Sequence, residues 1–241
     1  MQSTRRRFNT AALAALTLPA TLARAQAQAN PGRPIRVVIP TAAGGTGDIL
    51  ARQVADILRD ALKVTVAVEN RPGANGVIAT ELVARAPADG STLLVASASN
   101  IAINPALYKM PVDVEKDLAP VIQIANTTQV LIAHPAFPAG TLQELIAMAK
   151  AKPGGIDYVN AGNGSTPHLN MELLASMAGL KLHGIVYKGS TPGRTAVVAG
   201  EVPIMIDGLA PALPLIQSGK LKALGVTSPR RTTALPAYST R

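Results

Sequence analysis

From Pro34 onward, apolar and polar positions follow a repeated strand, turn, helix rhythm. Ile35 to Ile39 is a short β-branched run closed by Pro40, the pattern of a buried strand. Thr41 to Asp48 is a glycine-rich loop. After it Ile49, Leu50, Val54, Ile57, Leu58, Ala61 and Leu62 recur at helical spacing and predict one apolar stripe. Val64 to Val68 predicts a second strand, closed by the turn-rich run Asn70 to Gly76. Val77 to Ala86 reads as a helix, Thr92 to Ala96 as a third strand and Pro120 to Ile124 as a further one.

The second half repeats the scheme. Val130 to Ala133 predicts a strand, and Thr141 caps a helix from Leu142 to Lys150 that stops before Pro153-Gly154-Gly155. Asp157 to Asn160 predicts a strand followed by the loop Ala161 to Thr166. Thr166 is the expected N-cap of the next helix, with Pro167 at its first position and Gly179 just past its end. Ile185 to Tyr187 is a strand; Thr191 and Pro192 repeat the cap-plus-proline start, and Gly200 stops that helix. Val202 to Ile206 and Leu221 to Val226 are strands, with a helix from about Pro211 to Gln217 between them.

Strands alternating with helices over short loops predict an α/β fold with mostly parallel sheets covered on both faces. Two such runs, each with a glycine-rich loop after an early strand, predict two lobes facing across a cleft. Ligands of such sheets bind outside the carboxyl ends of the strands.

The two loops carry the candidate chemistry. Thr41-Ala42-Ala43-Gly44-Gly45-Thr46-Gly47-Asp48 joins a strand to a helix start, and Asn160-Ala161-Gly162-Asn163-Gly164-Ser165-Thr166 does the same in the second half. Glycine lets backbone approach a ligand, and the free N–H groups and positive dipole end of a helix attract an anion. The plainer reading is that each loop is a turn. Neither loop has the third glycine of a dinucleotide fingerprint or the lysine of a P-loop. Asp48 is either the N-cap of its helix or a group that orients the loop N–H groups. His168 reads as a partly exposed polar residue or as a donor to an anion, and Asp207 as a helix cap or a cleft residue. Lys188 and Arg194 read as solvated surface or as charge at the cleft rim.

Composition narrows the classes. Of 23 Lys and Arg against 14 Asp and Glu, four (Arg5, Arg6, Arg7 and Arg24) lie in the first 29 residues, which hold no acid. The remaining cations are scattered, and aromatic residues are only 2% of the chain, so a nucleic-acid binder is set aside. With 48% hydrophobic and 15% charged residues the chain has material for a core and is not disordered. The absence of cysteine rules out disulfides, thiolate nucleophiles and Cys-ligated metals. His134, His168 and His183 are the only histidines, in no H-E-x-x-H pattern, and no G-x-S-x-G occurs. Ser165 or Ser190 could be set beside His168 and Asp207 on paper as a triad, without support from spacing. No cofactor or metal is expected.

Residues 1–29 read as an export signal. Arg5-Arg6-Arg7 precede a short apolar stretch from Ala11 to Leu22, and Ala23-Arg24-Ala25, Ala25-Gln26-Ala27 and Ala27-Gln28-Ala29 each offer a small-x-small cleavage site. That stretch falls short of the roughly 20 residues a bilayer-spanning helix needs. Thr4-Arg5-Arg6-Arg7-Phe8 resembles a twin-arginine motif, the general secretory route being the alternative. Either way, a bacterial periplasm is the expected location.

Pro34-Ile35-Arg36-Val37-Val38-Ile39-Pro40 with the Gly-Gly loop and Asp48, followed by Glu69-Asn70-Arg71-Pro72-Gly73-Ala74, resembles the tripartite tricarboxylate transporter substrate-binding proteins, or Bug family. Asn104-Pro105-Ala106-Leu107-Tyr108, Tyr158 to Leu169 and Val186-Tyr187-Lys188-Gly189-Ser190 fit the same family. The resemblance implies a periplasmic solute receptor without enzymatic activity, with the two-lobed, type II periplasmic-binding-protein (Venus-flytrap) fold. Its ligand would be a di- or tricarboxylate, an acidic amino acid or a related acid, delivered to large and small integral membrane subunits by a monomeric receptor. A periplasmic enzyme or sensory partner acting on the same acids, and a non-functional fragment, are the alternatives.

The expected ligand-binding set is Thr41, Ala43, Gly44, Gly45, Thr46, Asp48, Ser97, Ala161, Gly162, Asn163, Gly164, Ser165, Thr166, His168, Lys188 and Asp207. Against the family pattern, Thr41 stands where an aromatic residue is usual, and the Thr46-Gly47 order before Asp48 is swapped. The family also continues beyond Arg241. The expected organisation is therefore lobe I over residues 30–126, lacking its C-terminal portion, lobe II over 127–228, a truncated return segment over 229–241, and a hinge near Ala125-Asn126-Thr127.

Overall fold

The computed structural model describes residues 32–235. The export signal expected over residues 1–29, and the end of the 229–241 segment, lie outside the described residues.

Lobe I is built on a three-stranded parallel sheet. β1 (Ile35–Ile39) lies between β2 (Val66–Asn70) and β3 (Thr92–Leu94), with Val37 opposite Val68 and Leu93. Successive side chains of a strand point to opposite faces, and both faces here are covered. Ile35, Val37 and Ile39 pack with Ala51 and Ala55 of α1 (Thr46–Leu62), while Val38 packs with Ala79 and Val83 of α2 (Val77–Ala84). The predicted stripe of α1 is buried only in part. Ala51 and Ala55 are its fully buried apolar residues, whereas Ile57 and Leu62 are exposed. Small side chains let the helix lie close against the sheet, and of the larger apolar groups Leu58 packs on that core while Ile57 and Leu62 fall outside it.

A five-stranded sheet of order β6-β5-β7-β4-β8 forms lobe II, from β4 (Gln129–Ala133), β5 (Asp157–Asn160), β6 (His183–Val186), β7 (Ile204–Gly208) and β8 (Lys222–Val226). β5, β6 and β7 are mutually parallel, and β4 runs antiparallel to both β7 and β8. Leu131, Ala133, Tyr158, Ile204 and Ile206 form one core with Leu145 and Met171. Val130, Ile132, Val159 and Met205 form the other with Val197 and Ala212. The covering helices after α3 (Asn104–Leu107) are α4 (Leu142–Ala151), α5 (Thr166–Ala178), α6 (Ser190–Ala199) and α7 (Leu209–Gln217).

Two sequence expectations need correction. Pro120 to Ile124 is not a strand: residues 118–128 have no regular structure, and Val121 and Ile122 are each 80% exposed. A strand needs an edge to pair with, and among the described residues no strand edge meets this run. β2 and β7 also begin two residues later than predicted, so that they carry Glu69, Asn70, Asp207 and Gly208 to the carboxyl edge of their sheets. Among the described residues no helix is long and apolar enough to cross a membrane.

Candidate functional site

In both lobes the parallel strands end at the boundary with the other lobe. β1, β2 and β3 are followed there by the 40–45 loop, the 71–76 turn and a π-helical turn, Ser99–Ile103, that leads into α3. From lobe II come the 161–165 loop after β5, the 187–189 loop after β6 and Gly208 at the end of β7. Each connection leads into a helix, so several helix N-termini meet at one boundary.

The first loop is fixed from both sides. Within lobe I, the Gly44 N–H donates to Asp48 Oδ2 at 3.0 Å, and Asn70 Nδ2 donates to the Thr41 carbonyl and to Asp48 Oδ1 at 3.0 and 3.1 Å. Arg52 meets the same carboxylate through Nε and Nη2 at 3.1 and 3.0 Å. Burial works to raise the Asp48 pKa, but Arg52, the Gly44 N–H and Asn70 outweigh it and hold the carboxyl below its ordinary value. From lobe II, Thr191 Oγ1 donates to the Ala43 carbonyl at 2.9 Å and Arg194 Nη2 to the Gly44 carbonyl at 3.0 Å. Gly45 is buried, and Thr46 lies against Gly208.

Arg194 is not a surface cation. It is 9% exposed, and its Nη1 lies 2.6 Å from Asp207 Oδ2. Asp207 Oδ1 accepts the Gly208 N–H at 2.8 Å. Burial raises the Asp207 pKa, opposed by Arg194 and that N–H. Taking away one partner of such a buried pair costs about 3–5 kcal/mol.

The second loop turns most of its donors inward. Gly162 N–H donates to Asn160 Oδ1 at 3.0 Å, Gly164 N–H to His168 Nδ1 at 3.3 Å and Ser165 N–H to the Gly162 carbonyl at 3.0 Å. Ala161 and Gly164 are buried. A side chain on Gly164 would meet Leu107 Cδ1 at 2.7 Å, so lobe I packs directly on this glycine. Tyr108 Oη donates to the Asn163 carbonyl at 2.6 Å, and the Ser99 and Thr166 hydroxyls lie 2.8 Å apart. The expectation that both loops present open amides is thereby corrected for Gly162, Gly164 and Ser165.

Open amides lie instead at helix starts. The N-caps of α1 and α6 are Gly45 and Gly189, and neither has a side chain to close its helix end, whereas at the start of α7 the Gly208 and Leu209 N–H groups are taken by Asp207 Oδ1 and the Thr128 carbonyl and Pro211 has none. An uncapped N-terminus carries roughly half a positive charge and unbonded N–H groups, the donors an anion needs.

Several predicted roles change with this geometry. Asp48 lies inside the first turn of α1 rather than at its N-cap, and Asp207 lies within β7 and pairs with Arg194 rather than capping α7. Ser165, not Thr166, caps α5 by accepting the His168 N–H at 3.3 Å, and this places Pro167 at the second helical position. Thr191 lies in the first turn of α6 behind Gly189. Ser97 is exposed, its hydroxyl donating to Asn100 Oδ1 at 2.9 Å, and Lys188 is exposed on the loop before α6.

Sequence reasoning did not place Asn75, Asn100 and Asn104 at the site. Asn100 and Asn104 both donate to the Asn75 carbonyl at 2.9 Å, and Asn75 Nδ2 donates to Asn104 Oδ1 at 2.8 Å. This knot holds the segment of lobe I that bears on Gly164. The run Asn104-Pro105-Ala106-Leu107-Tyr108 was its visible signal.

Residues 50–241 match the profile of the tripartite tricarboxylate transporter family receptor. Protein BugT of Bordetella pertussis is 38% identical over 216 residues, covering 89% of this chain and 66% of its own length. R. palustris Rpa4515, solved with adipate, superposes with a TM-score of 0.81 at 34% identity, over 87% of this chain and 74% of that one. MatC from Rhodopseudomonas palustris with bound malate gives 0.82 at 30% identity, over 88% and 72%. The two-lobed α/β architecture with strand ends facing one boundary is the periplasmic-binding-protein fold, and the chain belongs to the tripartite tricarboxylate transporter receptor family, the Bug proteins among them.

Proposed function

We propose that this receptor binds a small organic acid, a dicarboxylate or a related carboxylate, between its lobes in the periplasm and hands it to the integral membrane subunits of a tripartite tricarboxylate transporter. The observation that carries the reading is the pair of glycine N-caps, Gly45 in lobe I and Gly189 in lobe II, opening one helix end from each lobe at one boundary. Asp48 is matched by Arg52 and Arg194 by Asp207, while Lys188 stands exposed beside Gly189. A carboxylate guest is therefore met by main-chain dipoles, with Lys188 the charged side chain beside the α6 end. The relatives solved with adipate and malate favour a dicarboxylate.

The reading includes binding without turnover. Titration calorimetry of the purified protein against malate, adipate, citrate, glutamate and nicotinate is the test, with the solution after each titration analysed for product. Saturable binding of at least one acid with no product supports the receptor. Conversion of any acid, or binding to none of them, overturns it.

A further inference from the structure

Arg194 and Thr191 both reach from lobe II to carbonyl groups of the first loop of lobe I, across 150 and 148 positions of sequence. A trans peptide is planar, so its carbonyl and the N–H that follows point in opposite directions. Thr191 on the Ala43 carbonyl therefore turns the Gly44 N–H the other way, where Asp48 accepts it. Arg194 on the Gly44 carbonyl turns the Gly45 N–H away from the guanidinium, at the uncapped start of α1. Gly44 adopts φ +79, a conformation that favours glycine, so no side chain on this residue restricts the orientation of the peptide.

Both side chains are themselves anchored in lobe II. Arg194 is paired with Asp207 of β7, and Thr191 sits in the first turn of α6. Parting of the lobes leaves the Arg194–Asp207 pair in place and removes only the two bonds to the loop.

We infer that Arg194 and Thr191 are cross-lobe positioning residues: when the lobes are closed, Arg194 aims the Gly44–Gly45 peptide and Thr191 braces the Ala43–Gly44 peptide before it. The anion site of lobe I is thus completed by lobe II without either side chain touching the ligand. This rests on the carboxylate reading above and deepens it: closure raises the affinity of the amide site, and an open receptor holds the acid weakly.

The test uses Thr191→Val, Thr191→Ser and Arg194→Lys in the purified protein, titrated with malate and with adipate. Val keeps the shape of Thr but cannot donate, and Ser keeps the hydroxyl. Thr191→Val is expected to weaken binding roughly fivefold, the worth of one neutral hydrogen bond, with Thr191→Ser staying within about twofold of the parent. Arg194→Lys is expected to cost about tenfold or more, because a compact ammonium cannot fork between Asp207 and the Gly44 carbonyl.

The chain has no cysteine, so Gln53→Cys with Ser176→Cys gives one unique spin-label pair across the lobes. Distance distributions should shift toward the open form in Thr191→Val and Arg194→Lys and return in Thr191→Ser. A loss of fold alone would not be restored by Ser, nor leave the melting temperature of Thr191→Val unchanged, as is expected here. Unchanged affinity and distances in Thr191→Val overturn the inference even if Arg194→Lys fails to fold. Should the parent bind none of the five acids tested above, the carboxylate reading fails, while the ligand-free distances still decide whether the two residues hold the lobes together.

Discussion

Gly208 of lobe II and Thr46 of lobe I approach so closely that a Cβ on Gly208 would clash with Thr46 Oγ1 and lie 3.3 Å from Thr46 Cβ. Gly208 has φ −62 and ψ 135, which any residue adopts, so the glycine is required by the opposite lobe and not by its own backbone. Gly208→Ala is therefore expected to leave lobe II folded with a near-parental melting temperature. Overpacking at the boundary should cost about 1–3 kcal/mol of closure, read as a roughly five- to hundredfold loss of carboxylate affinity. Equal affinity would show that the two residues part when ligand binds.

Gly45→Asp separates stability from binding. Gly45 adopts an extended φ of −87, and an added Cβ meets nothing closer than 3.7 Å, so the substitution fits. The new carboxylate would accept the free N–H groups of α1 and stabilise the helix by a few tenths of a kcal/mol. It would also occupy the place of the guest's carboxylate. The expected outcome is an equal or higher melting temperature together with loss of detectable binding by calorimetry. Retained binding would remove the start of α1 from the site.

Asp48 sets a pH dependence whose sign follows from its surroundings. Its carboxyl is held below the ordinary value of 3.8, so the folded chain binds this proton less tightly than the unfolded chain. The stability it contributes is complete above that value and is lost as pH falls through the lower folded value. Urea unfolding between about pH 2 and 5 should show a steeper acid loss in the parent protein than in Asp48→Asn. Parallel curves would mean that the Arg52, Gly44 and Asn70 contacts do not hold in solution.

Hydrogen exchange should separate the centre of the lobe II sheet from the run that precedes it. β4 and β7 lie inside a five-stranded sheet with buried side chains on both faces, whereas residues 118–128 have no regular structure. Amides of Leu131, Ile132, Met205 and Ile206 are expected to exchange slowest, and those of Val121 and Ile122 among the fastest. Protection at Val121 and Ile122 would restore the strand that the apolar run predicted.

That run shows where sequence reading stops. Pro120 to Ile124 has the composition of a strand, but pairing is a property of a neighbour, and none is present among the described residues. The stripe on α1 misleads for a related reason: periodicity identified the helix, yet Ala51 and Ala55 rather than Ile57 and Leu62 meet the sheet. Local signals did better where both partners lie within a few residues. Thr141 caps α4 by accepting the Glu144 N–H, as its position predicted, and Gly179 and Gly200 end α5 and α6 in left-handed conformations.

By itself the sequence determined the alternation of strands and helices, the two glycine loops at helix starts and the family. It could not determine the partners of Asp48, Thr166, Thr191 and Asp207, each of which read as a helix cap. In the structure the two carboxylates pair with arginines, while the two hydroxyls meet Ala43 and Ser99 across the lobe boundary. A cap is a choice between groups a few residues apart and leaves a local pattern. A bond from Arg194 to Gly44 joins positions 150 residues apart, and only the folding of both sheets with their carboxyl ends face to face brings them within 3.0 Å.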